Sequence, residues 1–102
     1  MVEELRDQIL EKISLIPGVY GFCNINASDD AKPISLKKEN WGNSIVIVRG
    51  INGLKINLSI ILLFSVNVKT IVQEIKSLLE YFLSKNKLKL ETLNVLIKGI
   101  KL

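Results

Sequence analysis

The centre of the chain carries an Asn-Gly pair between two runs of strand-forming residues. Ile45–Val48 is β-branched throughout, and from Leu54 apolar residues alternate with polar ones in a run that ends at Phe64. Asn52-Gly53 lies between the two runs, and both central residues of a tight hairpin turn favour positive φ, which Asn and Gly tolerate. The pattern predicts an antiparallel hairpin in the middle of a β-sheet.

Amphipathic helices are predicted on both sides of this hairpin. Apolar residues recur at three- and four-residue spacing over residues 2–16, and Pro17-Gly18 ends that helix because proline cannot continue it. The same spacing returns over residues 68–83. Asn67 is placed as the N-cap of this second helix, and Asn86 as its left-handed C-cap.

The remaining segments complete a single domain over residues 1–102. Val19–Ile25 is a predicted strand, the polar residues 26–43 are predicted to form a long loop, and residues 88–102 are predicted to form the last strand. A right-handed crossover through the second helix should place the last strand parallel to the long one. We therefore predict an α+β two-layer sandwich in the order α-β-(long loop)-β-β-α-β. Its mixed sheet has three to four strands, and two amphipathic helices pack on it.

The absence of histidine removes most of the chemistry that a small protein uses. Without imidazole there is no Ser-His or Cys-His dyad, and the commonest metal ligand is missing. The single cysteine, Cys23, cannot build a thiolate cluster and is interpreted as a buried small hydrophobe. Asp29-Asp30 in the polar loop is interpreted as a solvated pair. We expect a non-enzymatic protein with no catalytic residue, no cofactor and no metal.

Positive charge collects toward the C-terminal end. The net charge is +4, and residues 51–102 carry eight lysines against three glutamates. Lys85, Lys87 and Lys89 suit nucleic acid, anionic lipid or an acidic partner, or they only keep the surface soluble.

A glycine pair in the predicted hairpin offers a second hint of nucleic-acid binding. Gly50 and Gly53, preceded by Arg49, are similar to the GxxG loop that clamps RNA in KH domains. That loop joins two helices, whereas here the glycines are explained by a turn between strands. The aromatic residues also show no cluster that would stack bases. Nucleic-acid binding is therefore expected to be non-specific, and a small basic RNA- or nucleoprotein-associated domain is the alternative function.

The predicted sheet has more apolar positions than two helices can cover. Three strand segments are apolar on both faces: Ile45–Val48, Ile60–Phe64 and Val95–Ile97. The surplus centres on Ile61, Leu63 and Leu96, and exposed apolar patches commonly mark a protein contact. We predict an interaction surface on that sheet face or along the edge beside the last strand. The alternative is that the loop over residues 26–43 folds back and Trp41 covers the face.

The sequence also bears on location. Glu3 and Glu4 stand where a secretory signal has basic residues, and the longest nearly apolar run, Leu58–Val66, is far below the roughly 18 residues of a membrane span. We expect a cytoplasmic protein with no direct membrane insertion, so any association with a membrane would come through a partner or through surface charge.

Three short motifs mark the ends of the predicted elements. Ile16-Pro17-Gly18-Val19-Tyr20-Gly21 closes the first helix, Val66-Asn67-Val68 opens the second, and Leu93–Ile100 lies in the last strand. In this order they resemble the alkaline shock (envelope stress response) protein family of Gram-positive-type bacteria. Its members have Val-Pro-Gly-Val-x-Gly at the first place and Val-Asn-Ile at the second. Phe64-Ser65 and Lys69 depart from the family's usual Tyr-Gly and Pro.

The resemblance implies a divergent, short member with one alkaline-shock-like domain and no catalytic residue to carry over. It also implies a structural or interaction protein of the envelope (cell-wall) stress response. Such a protein would act as a homo-oligomer or gather at the inner envelope through a membrane-anchored partner.

The lack of histidine and of a thiolate cluster generates a first prediction. Purified protein, incubated with zinc and then dialysed, should retain no stoichiometric metal and should show no hydrolase or transferase activity, because the chain offers no suitable ligand set. Elemental analysis before and after the zinc treatment measures this. One tightly held zinc per chain would contradict it.

Overall fold

The structure, a computed structural model, describes residues 2–27 and 34–102. Its elements are α1 (Val2–Ser14), β1 (Val19–Phe22), a 3₁₀ helix (Lys38–Ser44), β2 (Ile45–Arg49), β3 (Leu54–Leu63), α2 (Val68–Lys85) and β4 (Leu90–Lys101). This order confirms the predicted α+β class. Two details differ, since β1 ends at Phe22 and the end of the predicted loop forms the 3₁₀ helix. The pair Asp29-Asp30 lies outside the described residues.

Strand β3 is the centre of a mixed sheet. On one side it pairs with β4, in parallel and along its whole length. On the other side it pairs antiparallel with β2 over Leu54–Leu58 and with β1 over Ile60–Leu62. Strands β1 and β2 therefore follow one another along the same edge of β3, and β4 occupies the opposite edge. The parallel placement of the last strand agrees with the sequence prediction.

Both helices pack on one face of this sheet. Successive strand side chains alternate between faces, so every second residue of β3 meets the helices. The core is formed by these β3 residues with side chains from α1, β1, β2 and α2: Ile9, Leu10, Ile13, Phe22, Ile45, Leu54, Ile56, Leu58, Ile60, Leu62, Ile71, Ile75, Leu79, Phe82 and Leu83. Each fully buried aliphatic side chain of this kind stabilises the fold by about 1.5–3 kcal/mol. Within the described residues, no helix is long and apolar enough to cross a membrane.

The hairpin between β2 and β3 forms as predicted, but its turn differs. The Gly50 N–H donates to the Gly53 carbonyl at 2.7 Å, which closes a connection over residues 50–53. Gly53 has φ +146°, whereas Asn52 has no positive φ, so the prediction that both central residues adopt positive φ was wrong at Asn52. A Cβ on Gly53 would lie 2.6 Å from the Lys89 carbonyl oxygen. The turn needs this glycine because the chain entering β4 runs against it.

Helix α2 begins and ends with distinct caps. The Asn67 side chain accepts from the Thr70 N–H at 3.0 Å, which confirms the predicted N-cap. At the other end Asn86 has φ −97°, and the left-handed residue is Lys87 with φ +60°. The Lys87 N–H donates to Ser84 and the Leu88 N–H to Leu83, the two bonds of a Schellman motif. The prediction of a left-handed Asn86 was therefore wrong by one residue.

The position of Lys87 generates a stability prediction. A left-handed conformation strains a residue with a Cβ, so Lys87→Gly should raise the free energy of unfolding by about 1 kcal/mol. The matched control, Asn86→Gly, should lower it by about 1 kcal/mol. Asn86 is not left-handed, and its side-chain Nδ2 donates to the Phe82 carbonyl at 2.9 Å. Urea unfolding of both variants measures the pair, and a destabilised Lys87→Gly would contradict the cap assignment.

Candidate interaction surface

The sheet face opposite the helices, called here the outer face, is set by strand alternation. Val46 and Val48 of β2 pair with Asn57 and Lys55 of β3, and Leu96 of β4 pairs with Ser59. The outer face consists of these residues and their neighbours: Val46, Val48, Lys55, Asn57, Ser59, Ile61, Leu63, Thr92, Asn94 and Leu96. Its β3 residues are polar beside the hairpin, at Lys55, Asn57 and Ser59. Toward the end of the strand they are apolar, at Ile61 and Leu63.

The three apolar residues predicted to form a surface separate into two kinds. Leu63 and Leu96 are 41% and 37% exposed, so both present apolar area to solvent. Ile61 is only 4% exposed, which corrects its assignment to the surface. Its direct neighbours across the sheet are Gly21 and Gly99, which have no side chains.

The described residues of the segment that follows β1 approach the outer face close to Ile61. Lys98 Nζ donates to the Ala27 carbonyl at 3.3 Å, and a Cβ on Gly21 would lie 2.5 Å from the Ser35 hydroxyl. The described residues at both ends of this segment therefore lie against the outer face beside Ile61. The alternative in which Trp41 covers this face was wrong. Its ring centroid lies 4.8 Å from that of the core residue Phe22, so Trp41 packs on the helix side.

Strand β4 forms an open edge of the sheet. It spans 12 residues and, within the described part of the chain, pairs with β3 alone. Leu93, Val95 and Ile97 pack partly against the core, while Leu96 lies on the outer face. A long edge strand offers a row of backbone N–H and C=O groups to another strand. This edge and the exposed Leu96 beside it form one continuous surface.

The predicted basic residues do not all come together. Lys87 and Lys89 line a cleft of about 330 Å³ with Arg49 and the hairpin residues 50–54. Lys85 lies apart from this cleft, and its Nζ is 4.7 Å from the centroid of the Tyr81 ring. The sequence reasoning missed Arg49 as a member of this cluster. No linear signal joins Arg49 to Lys87, because only the crossover through α2 brings the start of β4 beside the hairpin.

Catalysis and metal binding depend on nucleophilic and ligating side chains, of which Cys23 is one. Cys23 is buried, as predicted. Across residues 2–27 and 34–102, no three His, Cys, Asp or Glu side chains gather in a way that could hold a metal ion. Within the same residues, the Ser59 hydroxyl is buried without a hydrogen-bond partner.

Comparison with protein-family models, with curated proteins and with solved structures finds no match for this chain. The resemblance to the alkaline shock family stays a prediction, and the geometry of the surface carries the functional argument.

The unequal burial of Ile61 and Leu96 generates a paired prediction. Ile61→Lys places a charge among buried groups and should lower the free energy of unfolding by about 3 kcal/mol. Leu96→Lys should change it by less than about 1 kcal/mol, because the lysine ammonium can reach solvent. Urea unfolding midpoints measure both variants. Equal destabilisation would show that Leu96 is also a core residue.

Proposed function

We propose that this protein is a non-catalytic interaction protein that assembles with copies of itself. The open edge of β4, with Leu96 beside it on the outer face, is the observation that carries the proposal. Two copies of one edge strand can pair antiparallel about a two-fold axis, because each presents the same backbone groups to the other. A second copy is thus a natural occupant of this surface.

Leu96 lies near the middle of β4, so a two-fold axis placed at this residue brings both copies of its side chain together. Burial of apolar area contributes roughly 25 cal/mol per Å² before the costs of association. The backbone pairing and the leucine contact act on the same surface and favour the same arrangement.

The resemblance to the alkaline shock family supplies a biological setting for this assembly. We infer that the protein acts in the envelope stress response of a bacterium, as a cytoplasmic scaffold that self-associates or joins a membrane-anchored partner. The short motifs at residues 16–21, 66–68 and 93–100 support this setting. A basic RNA-associated domain is the competing function, and the basic cluster at Arg49, Lys87 and Lys89 is the feature that would serve it.

Light scattering on the purified protein tests the assembly. At micromolar concentrations we expect a mass of two chains or more for the unaltered protein. Leu96→Lys should give a folded monomer, because it places two like charges near the axis. The matched control is Val48→Lys, which changes a 51% exposed valine of β2 on the opposite edge. This control should keep the assembled mass.

Two results would contradict self-assembly through β4. One is a clean monomer for the unaltered protein across the concentration range. The other is an assembled Leu96→Lys, which would place the contact elsewhere. If the protein is monomeric alone but forms a defined complex with a membrane-anchored protein, and Leu96→Lys abolishes that complex, the surface is a hetero-interface instead.

A further inference from the structure

The hairpin turn and the turn before β4 meet at one end of the molecule. The Leu54 N–H donates to the Lys89 carbonyl at 2.8 Å, and Gly53 packs against the same carbonyl. Arg49, Lys87 and Lys89 consequently surround the turn that carries Ile51. We call these four residues the basic tip.

The three charges of the basic tip are not neutralised locally. Within the described residues, no ion pair joins Arg49, Lys87 or Lys89 to a carboxylate. The nearby Glu91 is already engaged, because its carboxylate lies 3.5 Å from Lys55 Nζ and accepts from the Asn52 N–H at 2.8 Å. Glu80 lines an adjoining groove with Lys87 and Lys89. Positive charge therefore dominates the tip.

An aliphatic side chain projects from the middle of these charges. Ile51 is 99% exposed, although turns favour Gly, Asn, Asp, Pro and Ser. The turn geometry requires glycine at position 53, but it does not require isoleucine at position 51. A fully exposed isoleucine contributes no burial energy to the fold, but its side chain suits the boundary between lipid headgroups and acyl chains.

The backbone at Lys87 gives an independent reason to regard the tip as functional. Lys87 occupies the left-handed position after α2, where glycine is usual and a side chain is strained. Strain at such a position motivates a functional hypothesis when the side chain itself has a use. Here the side chain adds a charge beside Arg49 and Lys89.

We propose that the basic tip docks on the surface of an anionic phospholipid bilayer. Arg49, Lys87 and Lys89 lie against the headgroup phosphates, and Ile51 reaches the acyl boundary. This contact is peripheral and places no segment across the bilayer. It goes beyond the proposed self-assembly, because the tip lies outside the pairing edge of β4.

A nucleic acid is the competing polyanion, and the tip suits it less well. Binding of single strands gains from bases stacked on aromatic rings, and none of the residues that line the cleft is aromatic. A lone exposed isoleucine also adds nothing to phosphate contacts along a strand. The lipid surface uses both the charges and the aliphatic side chain.

Vesicle flotation tests the proposal. We expect the protein to bind vesicles made from equal parts of phosphatidylglycerol and phosphatidylcholine, and not vesicles of phosphatidylcholine alone. Binding should weaken as salt rises. Each basic residue near an anionic surface changes the partition constant by about fivefold, so Lys87→Glu combined with Lys89→Glu should remove detectable binding. Ile51→Ser should reduce binding by about tenfold.

Two further variants separate charge from folding. Lys87→Gly is expected to raise stability, yet it should weaken vesicle binding about fivefold, so misfolding cannot explain the loss. The charge-matched control combines Lys69→Glu with Lys76→Glu on the exposed side of α2. Its vesicle binding should fall by less than fivefold relative to the unaltered protein, because the altered groups lie away from the tip.

Several outcomes would overturn lipid docking. They are no binding to the anionic vesicles at low salt, equal losses in the tip and control variants, or an Ile51→Ser variant that binds fully. Tighter binding to a single-stranded RNA oligonucleotide than to the vesicles, unaffected by Ile51→Ser, would assign the tip to nucleic acid. Leu96→Lys should bind vesicles as the unaltered protein does, so failure of assembly and failure of docking are distinguishable.

Discussion

Strands β1, β2 and β4 are each held in the sheet by pairing with β3. The long strand pairs with β4 along one edge and with β2 and β1 in turn along the other. Its alternate residues supply Leu54, Ile56, Leu58, Ile60 and Leu62 to the core beneath both helices. Because β4, within residues 2–27 and 34–102, is joined to the sheet through β3 alone, the edge proposed for assembly exists only when this parallel pairing is complete. The basic tip depends on the same pairing, since it brings Lys89 beside the hairpin.

Much of the fold follows from local patterns that the sequence displays. The order of elements, the hairpin and the helix start at Asn67 all depend on short-range periodicity and capping. The 3₁₀ helix was not predictable in this way, because its residues are polar and its shape depends on distant contacts. The Ile25 N–H donates to the Asn43 carbonyl, and the Ser44 hydroxyl donates to the Trp41 carbonyl. Tertiary contacts of this kind leave no period in the sequence.

The candidate surfaces were predictable only in part, for a related reason. The alternation of apolar residues identified an apolar excess, but it could not show that Ala27 and Ser35 lie close to the strand residues beside Ile61. Lysine clustering identified Lys87 and Lys89, whereas Arg49 joins them through the β3–β4 pairing alone. Ile51 carried no signal in the sequence, because an isoleucine in a turn becomes informative only when the structure shows it fully exposed.

Two irregularities in β4 determine how much of its edge another strand can use. The register of β4 against β3 shifts at Glu91 and again at Lys98, so a charged residue occupies each shift. Bulges and charges at an edge discourage indiscriminate pairing. The six residues from Thr92 to Ile97 lie between these shifts, carry no charge and pair with β3 in regular register. An edge limited in this way favours one short, defined partner strand over open-ended aggregation. Since Leu96 lies within the regular stretch, the backbone and side-chain requirements of a partner coincide there.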